Sequence, residues 1–219
     1  MAYSLSDLLQ HRLLFLGTNN KKKILELGNE LRPRGFDICC PKDFEDHFDV
    51  EETGSTFIEN ARIKAMAQAQ HRGIWAIGED SGLCVVALDG EPGIYSARFS
   101  GAGATDASNN SLLLERMKDV PATHRHAYYV STIALSDPDG VVHLESSGEC
   151  WGRVLKEPRG QGGFGYDPLF EIAEYHQTFA EMGLGVKRAI SHRARSLRSF
   201  LRQLDIAVLL QLRSEKQHD

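Results

Sequence analysis

The hydrophobic period of this chain switches repeatedly between strand-like and helix-like, and that alternation restricts it to a mixed α/β fold. Leu13 to Leu16 is a short apolar run ending at Gly17, and the following KKKILELGNELR sets Ile24, Leu27 and Leu31 at helical spacing. Phe36 to Cys40 reads as a second strand, followed by an acidic stretch from Asp43 to Glu52 without a period. Thr56 and Glu59 make a capping-box pattern, after which Phe57, Ala61, Ala65 and Ala69 recur every four residues and predict a second helix. Ile74 to Ile77 and Leu83 to Leu88 are strand-like runs around Gly78-Glu79-Asp80-Ser81-Gly82, which puts Glu79 and Asp80 at a strand end. A turn at Asp89-Gly90-Glu91-Pro92-Gly93 follows. Thr105 to Lys118 reads as a third helix, and His126 to Ser136 pairs with Val141 to Ser147 through the turn Asp137-Pro138-Asp139-Gly140. Gly185 opens a polar run into a last helix carrying Leu197, Phe200, Leu201 and Leu204.

The length of 219 residues suffices for one large domain or two lobes. We read 1–219 as a single domain, with residues 1–12 as an extension before the first strand. A hydrophobic fraction of 42% and a charged fraction of 25% are those of a globular chain. No apolar stretch approaches the roughly 20 residues that span a bilayer. The start MAYSLSDLLQHRLLFLG lacks a basic head, a sustained apolar core and a cleavage site, so a cytoplasmic, non-membrane protein is expected. Cys39, Cys40, Cys84 and Cys150 fit neither a disulfide framework nor C-x-x-C metal spacing and are expected to be reduced. A net charge of −5 argues against a nucleic-acid binder dominated by phosphate contacts.

Four stretches carry candidate chemistry. Thr18-Asn19-Asn20-Lys21-Lys22-Lys23 lies between a strand and a helix, where helix-terminal N–H groups and ammonium groups suit phosphate oxygens. The bland alternative is a capped helix with a solvated lysine face; the spacing is not that of a Walker A loop. Glu52 and Asp80 offer the one or two carboxylates by which Mg²⁺ is usually held together with substrate phosphates. Against this, Glu52 and Glu79 are equally readable as surface charges and Asp80 as a turn former. In Gly162-Gly163-Phe164-Gly165-Tyr166-Asp167-Pro168, glycines permit close backbone approach and two aromatics suit a flat ligand, although core packing is the alternative for both rings. Lys187, His192 and Arg193, in the stretch Lys187 to Arg193 at the head of the last helix, are donors for a phosphate or for base carbonyls.

Taken together, these stretches resemble the inosine/xanthosine triphosphate pyrophosphatase family. Its T-x-N-x-x-K, E-T-G-x-T-F-x-E-N-A, D-S-G-L, P-G-I-Y-S-A-R, G-G-F-G-Y-D-P and S-H-R motifs stand here in order, at Thr18–Lys23, Glu52–Ala61, Asp80–Leu83, Pro92–Arg98, Gly162–Pro168 and Ser191–Arg193. The resemblance implies an elongated α/β fold, with a mixed sheet and a central nucleotide-binding cleft between two lobes. It also implies a homodimer and Mg²⁺-dependent cleavage between the α- and β-phosphates of ITP, dITP and XTP, which clears non-canonical purines from the nucleotide pool. Thr18, Asn20, Lys23 and Lys64 would then contact the triphosphate, and Glu52 and Asp80 would hold Mg²⁺. Asp80 would also orient or deprotonate the attacking water. Ser81, Phe164, Gly165, Tyr166, Asp167, Lys187, His192 and Arg193 would form the nucleoside side. Two features depart from the family: Glu79 stands where Asp is common, and about ten extra residues precede the first strand.

A 6-keto group accepts a hydrogen bond where the 6-amino group of adenine donates one, so donors from His192, Arg193 or the Phe164–Asp167 backbone would discriminate against ATP. A Maf-like pyrophosphatase of other base specificity is disfavoured by the glycine-rich and S-H-R stretches. A non-hydrolysing nucleotide sensor would be expected to lack Glu52 or Asp80, and both acids are present.

Overall fold

The computed structural model describes residues 3–46 and 48–215. In chain order the elements are α1 (Leu5–His11), β1 (Leu13–Leu16), α2 (Lys21–Leu31), β2 (Asp37–Cys39), α3 (Phe57–Arg72), β3 (Ala76–Val85) and α4 (Asp106–Arg116). They continue as β4 (His126–Ser136), β5 (Val142–Val154), β6 (Phe170–Ile172), β7 (Gln177–Thr178), α5 (Leu184–Ile190) and α6 (His192–Glu215).

One seven-stranded mixed sheet runs in the order β2-β1-β3-β4-β5-β6-β7. β1 is parallel to both neighbours, with Leu14 opposite Ile38 and Phe15 opposite Ala76. Parallel strands are normally covered on both faces, and Leu14, Phe15 and Leu16 are fully buried. β6 is antiparallel to β5 and to β7. The β4–β5 hairpin forms where the Asp137-Pro138-Asp139-Gly140 sequence requires it. Gly140 N donates to Asp137 O at 3.0 Å, while Asp137 Oδ1 accepts from Asp139 N and Val141 N, each at 2.9 Å.

The chain divides into two compact units. The first draws on Met1–Asp80, Thr132–Ser147 and Ser196–Asp219, and its main core joins Leu14, Leu27, Trp75, Ile133 and Phe200. The second comprises Ser81–Ser131 and Gly148–Arg195, with Leu83, Leu113, Tyr129, Phe170 and Phe179 at its centre. The extra residues before β1 belong to the first unit: Leu8 of α1 is fully buried in that core, and Tyr3 packs edge-on against Trp75. No helix among the described residues is long and apolar enough to cross a membrane.

Two expectations are corrected. Gly78-Glu79-Asp80-Ser81-Gly82 is no turn; it lies inside the ten-residue strand β3, so Glu79 and Asp80 are mid-strand. The strand continues because its buried carboxylates find cationic partners within the fold. The last helix is also two helices, α5 and α6, broken at Ser191, whose extended backbone (φ −65°, ψ 158°) ends one while its Oγ accepts from Ala194 N at the start of the other.

Gly78 has a packing role. Ala61, Ala65 and Ala69 are fully buried along one face of α3, and that small-residue stripe lets β3 approach the helix backbone. A Cβ on Gly78 would lie 2.1 Å from Ala61 O and 2.6 Å from Ala65 N. Neither atom belongs to a side chain that can swing away. Gly78→Ala is therefore expected to destabilise the fold by about 1–3 kcal/mol or more, measured as a lower urea midpoint with an unchanged slope.

Candidate active site

The first cluster begins at the amino end of α2. Asn20 is its N-cap, its Oδ1 accepting from Lys22 N at 3.0 Å and Lys23 N at 3.4 Å. These two amides, expected from sequence to face phosphate, are thus already capped by Asn20, in keeping with the simpler reading of this turn. Thr18 Oγ1 accepts from Asn20 N at 3.2 Å, which fixes the turn. Asn19, Lys21 and Lys22 are exposed. Lys23 is turned inward, its Nζ 2.8 Å from an oxygen of Glu79, a side chain only 1% exposed. The single methylene by which Glu79 exceeds aspartate thus ends on a lysine.

One residue further along β3, Asp80 is buried against α3. Lys64 Nζ stands 2.8 Å from Asp80 Oδ1 and 3.3 Å from Glu52 Oε1, so one ammonium group is shared by the two carboxylates proposed as metal ligands. The other carboxylate oxygen of Asp80, Oδ2, accepts from Asn60 Nδ2 at 3.4 Å, and its carbonyl accepts from Thr132 Oγ1 at 3.3 Å. Burial pushes the Asp80 carboxyl above the usual aspartate range; the Lys64 charge opposes this without cancelling it, and Glu52 adds to the rise. Asn60, fully buried, was not singled out from the sequence. The available signal was its position one turn before Lys64, which sets both side chains on one face of the helix.

A second cluster gathers the remaining sequence-identified residues. Asp167 Oδ2 accepts from Phe164 N at 2.9 Å and from Lys187 Nζ, folding the glycine-rich loop around a buried ion pair. Lys187 Nζ also lies 4.9 Å from the centre of the Phe164 ring, and the Arg193 guanidinium 5.9 Å from it. Arg193 Nη2 donates to Ser81 Oγ at 3.4 Å. His192 lies flat against Tyr129, with ring centres 4.6 Å apart. Gly165 is clamped by α4: its N–H donates to Asp106 Oδ2 at 2.7 Å and its carbonyl accepts from Asn110 Nδ2 at 3.0 Å. The ring of Tyr166 belongs to the core, where its hydroxyl donates to Ser96 O at 2.8 Å. Core packing is thus the reading that holds for Tyr166. Phe164, half-buried, is the aromatic of this loop that retains open surface.

Chemically, the first cluster is two buried carboxylates, Glu79 and Asp80, and a half-buried one, Glu52, held by lysines, an arrangement suited to a polyanion and a hard cation. No group of three or more His, Cys, Asp or Glu among the described residues is arranged to hold a metal by itself. Glu52 and Asp80 already share one cation, however, and a magnesium site commonly takes two carboxylates and completes itself with phosphate oxygens and water.

Residues 14–203 match the model of the Ham1 family. A dITP/XTP pyrophosphatase of Rhodopirellula baltica is 50% identical over 191 residues, covering 87% of this chain and 92% of that protein. One of Thermus thermophilus is 47% identical over 187 residues, covering 85% and 88% respectively. Among solved structures, a HAM1 protein from Coxiella burnetii superposes with a TM-score of 0.80 at 35% identity, covering 91% of this chain and 98% of that one.

The raised Asp80 carboxyl gives a stability prediction whose sign follows from linkage. A carboxyl held above its unfolded value of 3.8 binds its proton more tightly in the folded state, so ionising it costs stability. That cost is absent at acid pH, grows as pH rises through the unfolded and then the folded value, and persists at neutrality. Asp80→Asn is expected to leave the melting temperature at pH 7 equal to or above that of the unsubstituted protein, with the difference vanishing near pH 3. A lower melting temperature for the variant at pH 7 contradicts this.

Proposed function

This chain belongs to the Ham1 family, and from that premise we propose that it hydrolyses ITP, dITP and XTP to the nucleoside monophosphate and pyrophosphate. The observation carrying the reading is the shared Lys64 ammonium between Glu52 and Asp80, with Glu79, next to Asp80 on β3, paired to Lys23 of α2. In phosphoryl transfer the protein's task is mostly positioning and charge neutralisation. Lys23 and Lys64 serve that task toward the triphosphate, together with Thr18 and the exposed Asn19, Lys21 and Lys22. Asn20 contributes by holding the turn that presents them.

Glu52 and Asp80 are proposed to hold Mg²⁺, which when bound neutralises phosphate charge as pyrophosphate leaves. Asp80, its carboxyl raised by burial, is suited to take the proton of the water that attacks phosphorus. Breaking the α–β bridge then gives the two products. Lys187, His192 and Arg193 are proposed to donate to the 6-keto purine, with the Phe164 ring against its face; the backbone donors expected from sequence at Phe164, Gly165 and Asp167 are instead engaged within the fold, by Asp167 Oδ2, Asp106 Oδ2 and Phe164 O. ATP would leave such donors unpaired, a mismatch that discriminates by about 10⁴-fold or more in sites of this kind. Homodimer assembly, which the same resemblance implies, and cytoplasmic residence are part of this proposal.

Purified protein incubated with Mg²⁺ and ITP, dITP, XTP or ATP is expected to release pyrophosphate from the first three and little from the last. Orthophosphate as product, or indifference to the base, contradicts the proposal. Asp80→Asn should lower kcat by about 10²–10⁴-fold, and Arg193→Ala should narrow the ITP to ATP ratio of kcat/KM. An unchanged ratio removes Arg193 from base recognition.

A further inference from the structure

We propose that Asn60 is a positioning residue that sets Asp80 and the loop carrying Glu52 in one geometry; the inference rests on the reading of those two acids given above. Asn60 lies in the first turn of α3 and is fully buried. Its two polar atoms face different parts of the chain. Nδ2 donates to Asp80 Oδ2 at 3.4 Å, and Oδ1 accepts from Gly54 N at 2.8 Å. With Lys64 on Oδ1 of Asp80 and Asn60 on Oδ2, both carboxylate oxygens have defined partners, and the plane of the carboxylate is fixed.

The loop side is held as firmly. Gly54 lies against Asn60 so closely that a Cβ would fall 2.7 Å from Asn60 Oδ1 and 2.7 Å from Glu59 Cβ. Glu59 Oε2 accepts from Ser55 N at 2.7 Å and Thr56 N at 3.1 Å. Successive amides from Gly54 to Thr56 therefore end on the first turn of α3, and Glu52 is placed two residues before the first of them. Only a short side chain with one donor and one acceptor satisfies both contacts. Aspartate would set a like charge against Asp80, while leucine, of similar size, would leave Gly54 N–H without its partner at a half-buried position. Groups that hydrogen-bond a ligating carboxylate typically change activity by about 10–100-fold when removed.

The test compares Asn60→Leu and Gly54→Ala with the unsubstituted enzyme by three readouts: kcat and KM for pyrophosphate release from ITP, amide hydrogen exchange of residues 52–56 without nucleotide, and melting temperature. Both variants are expected to lose kcat about 10–100-fold with KM little changed, and to exchange the 52–56 amides faster. Gly54→Ala keeps the Asn60 side chain and decides the matter should Asn60→Leu fail to fold. Unsubstituted kcat in a folded variant overturns the proposal, whatever the melting temperature. So does a lost kcat with unchanged exchange, because the loop would then not depend on Asn60. Asp80→Asn run in parallel separates the two layers. If it turns over normally, the reading of Asp80 falls; if it is inactive while the Asn60 and Gly54 variants are normal, only the positioning role falls.

Discussion

The architecture of the first cluster depends on one backbone contact, the approach of β3 to α3 at Gly78. A strand can lie against a helix at that range only where neither side presents a Cβ in the way, and the chain meets the requirement with Gly78 on one element and alanines on the other. The next two residues of the strand are Glu79 and Asp80, and the same helix carries Asn60 and Lys64. The Asp80 carboxylate, which would otherwise be too costly to bury, is thus delivered to within hydrogen-bond reach of an amide and an ammonium group.

Burial and pairing pull the Asp80 carboxyl in opposite directions, and burial dominates. The result is an acid with reduced preference for its charged form, placed beside lysines proposed to engage the triphosphate. A surface carboxylate would lack the first property and an isolated buried one the second. The arrangement is poor for stability and useful for chemistry, as sites that bind and transform ligands often are. Asp167 and Lys187 show a different use of a buried charge pair, holding a glycine-rich loop in shape.

Much of this was legible in the sequence, for identifiable reasons. β4 has the expected bounds because the Asp137–Gly140 turn fixes where pairing starts, and Thr56 caps α3 as its spacing with Glu59 implied. The ordered motifs pointed to a family that the comparisons bear out. Polar residues were the source of error. Glu79 and Asp80 looked like a strand end because sequence patterning treats buried charge as solvated, whereas their partners lie far away in the chain at Lys23 and Lys64. The sequence offers Tyr166 to a ligand, whereas in the fold its hydroxyl donates to Ser96 O. The role of Asn60 is not legible in the sequence because its two contacts are a backbone amide and a carboxylate that only the folded chain brings together.

Asp80 and Lys64 are proposed to act as one unit in turnover, and a double-mutant cycle on kcat/KM for ITP is the test. Asp80→Asn, Lys64→Met and the pair together would be measured under saturating Mg²⁺. Strong non-additivity is expected, with the double variant little worse than Asp80→Asn alone. Additive losses would mean that the two side chains contribute independently, and the shared electrostatic unit would have to be abandoned.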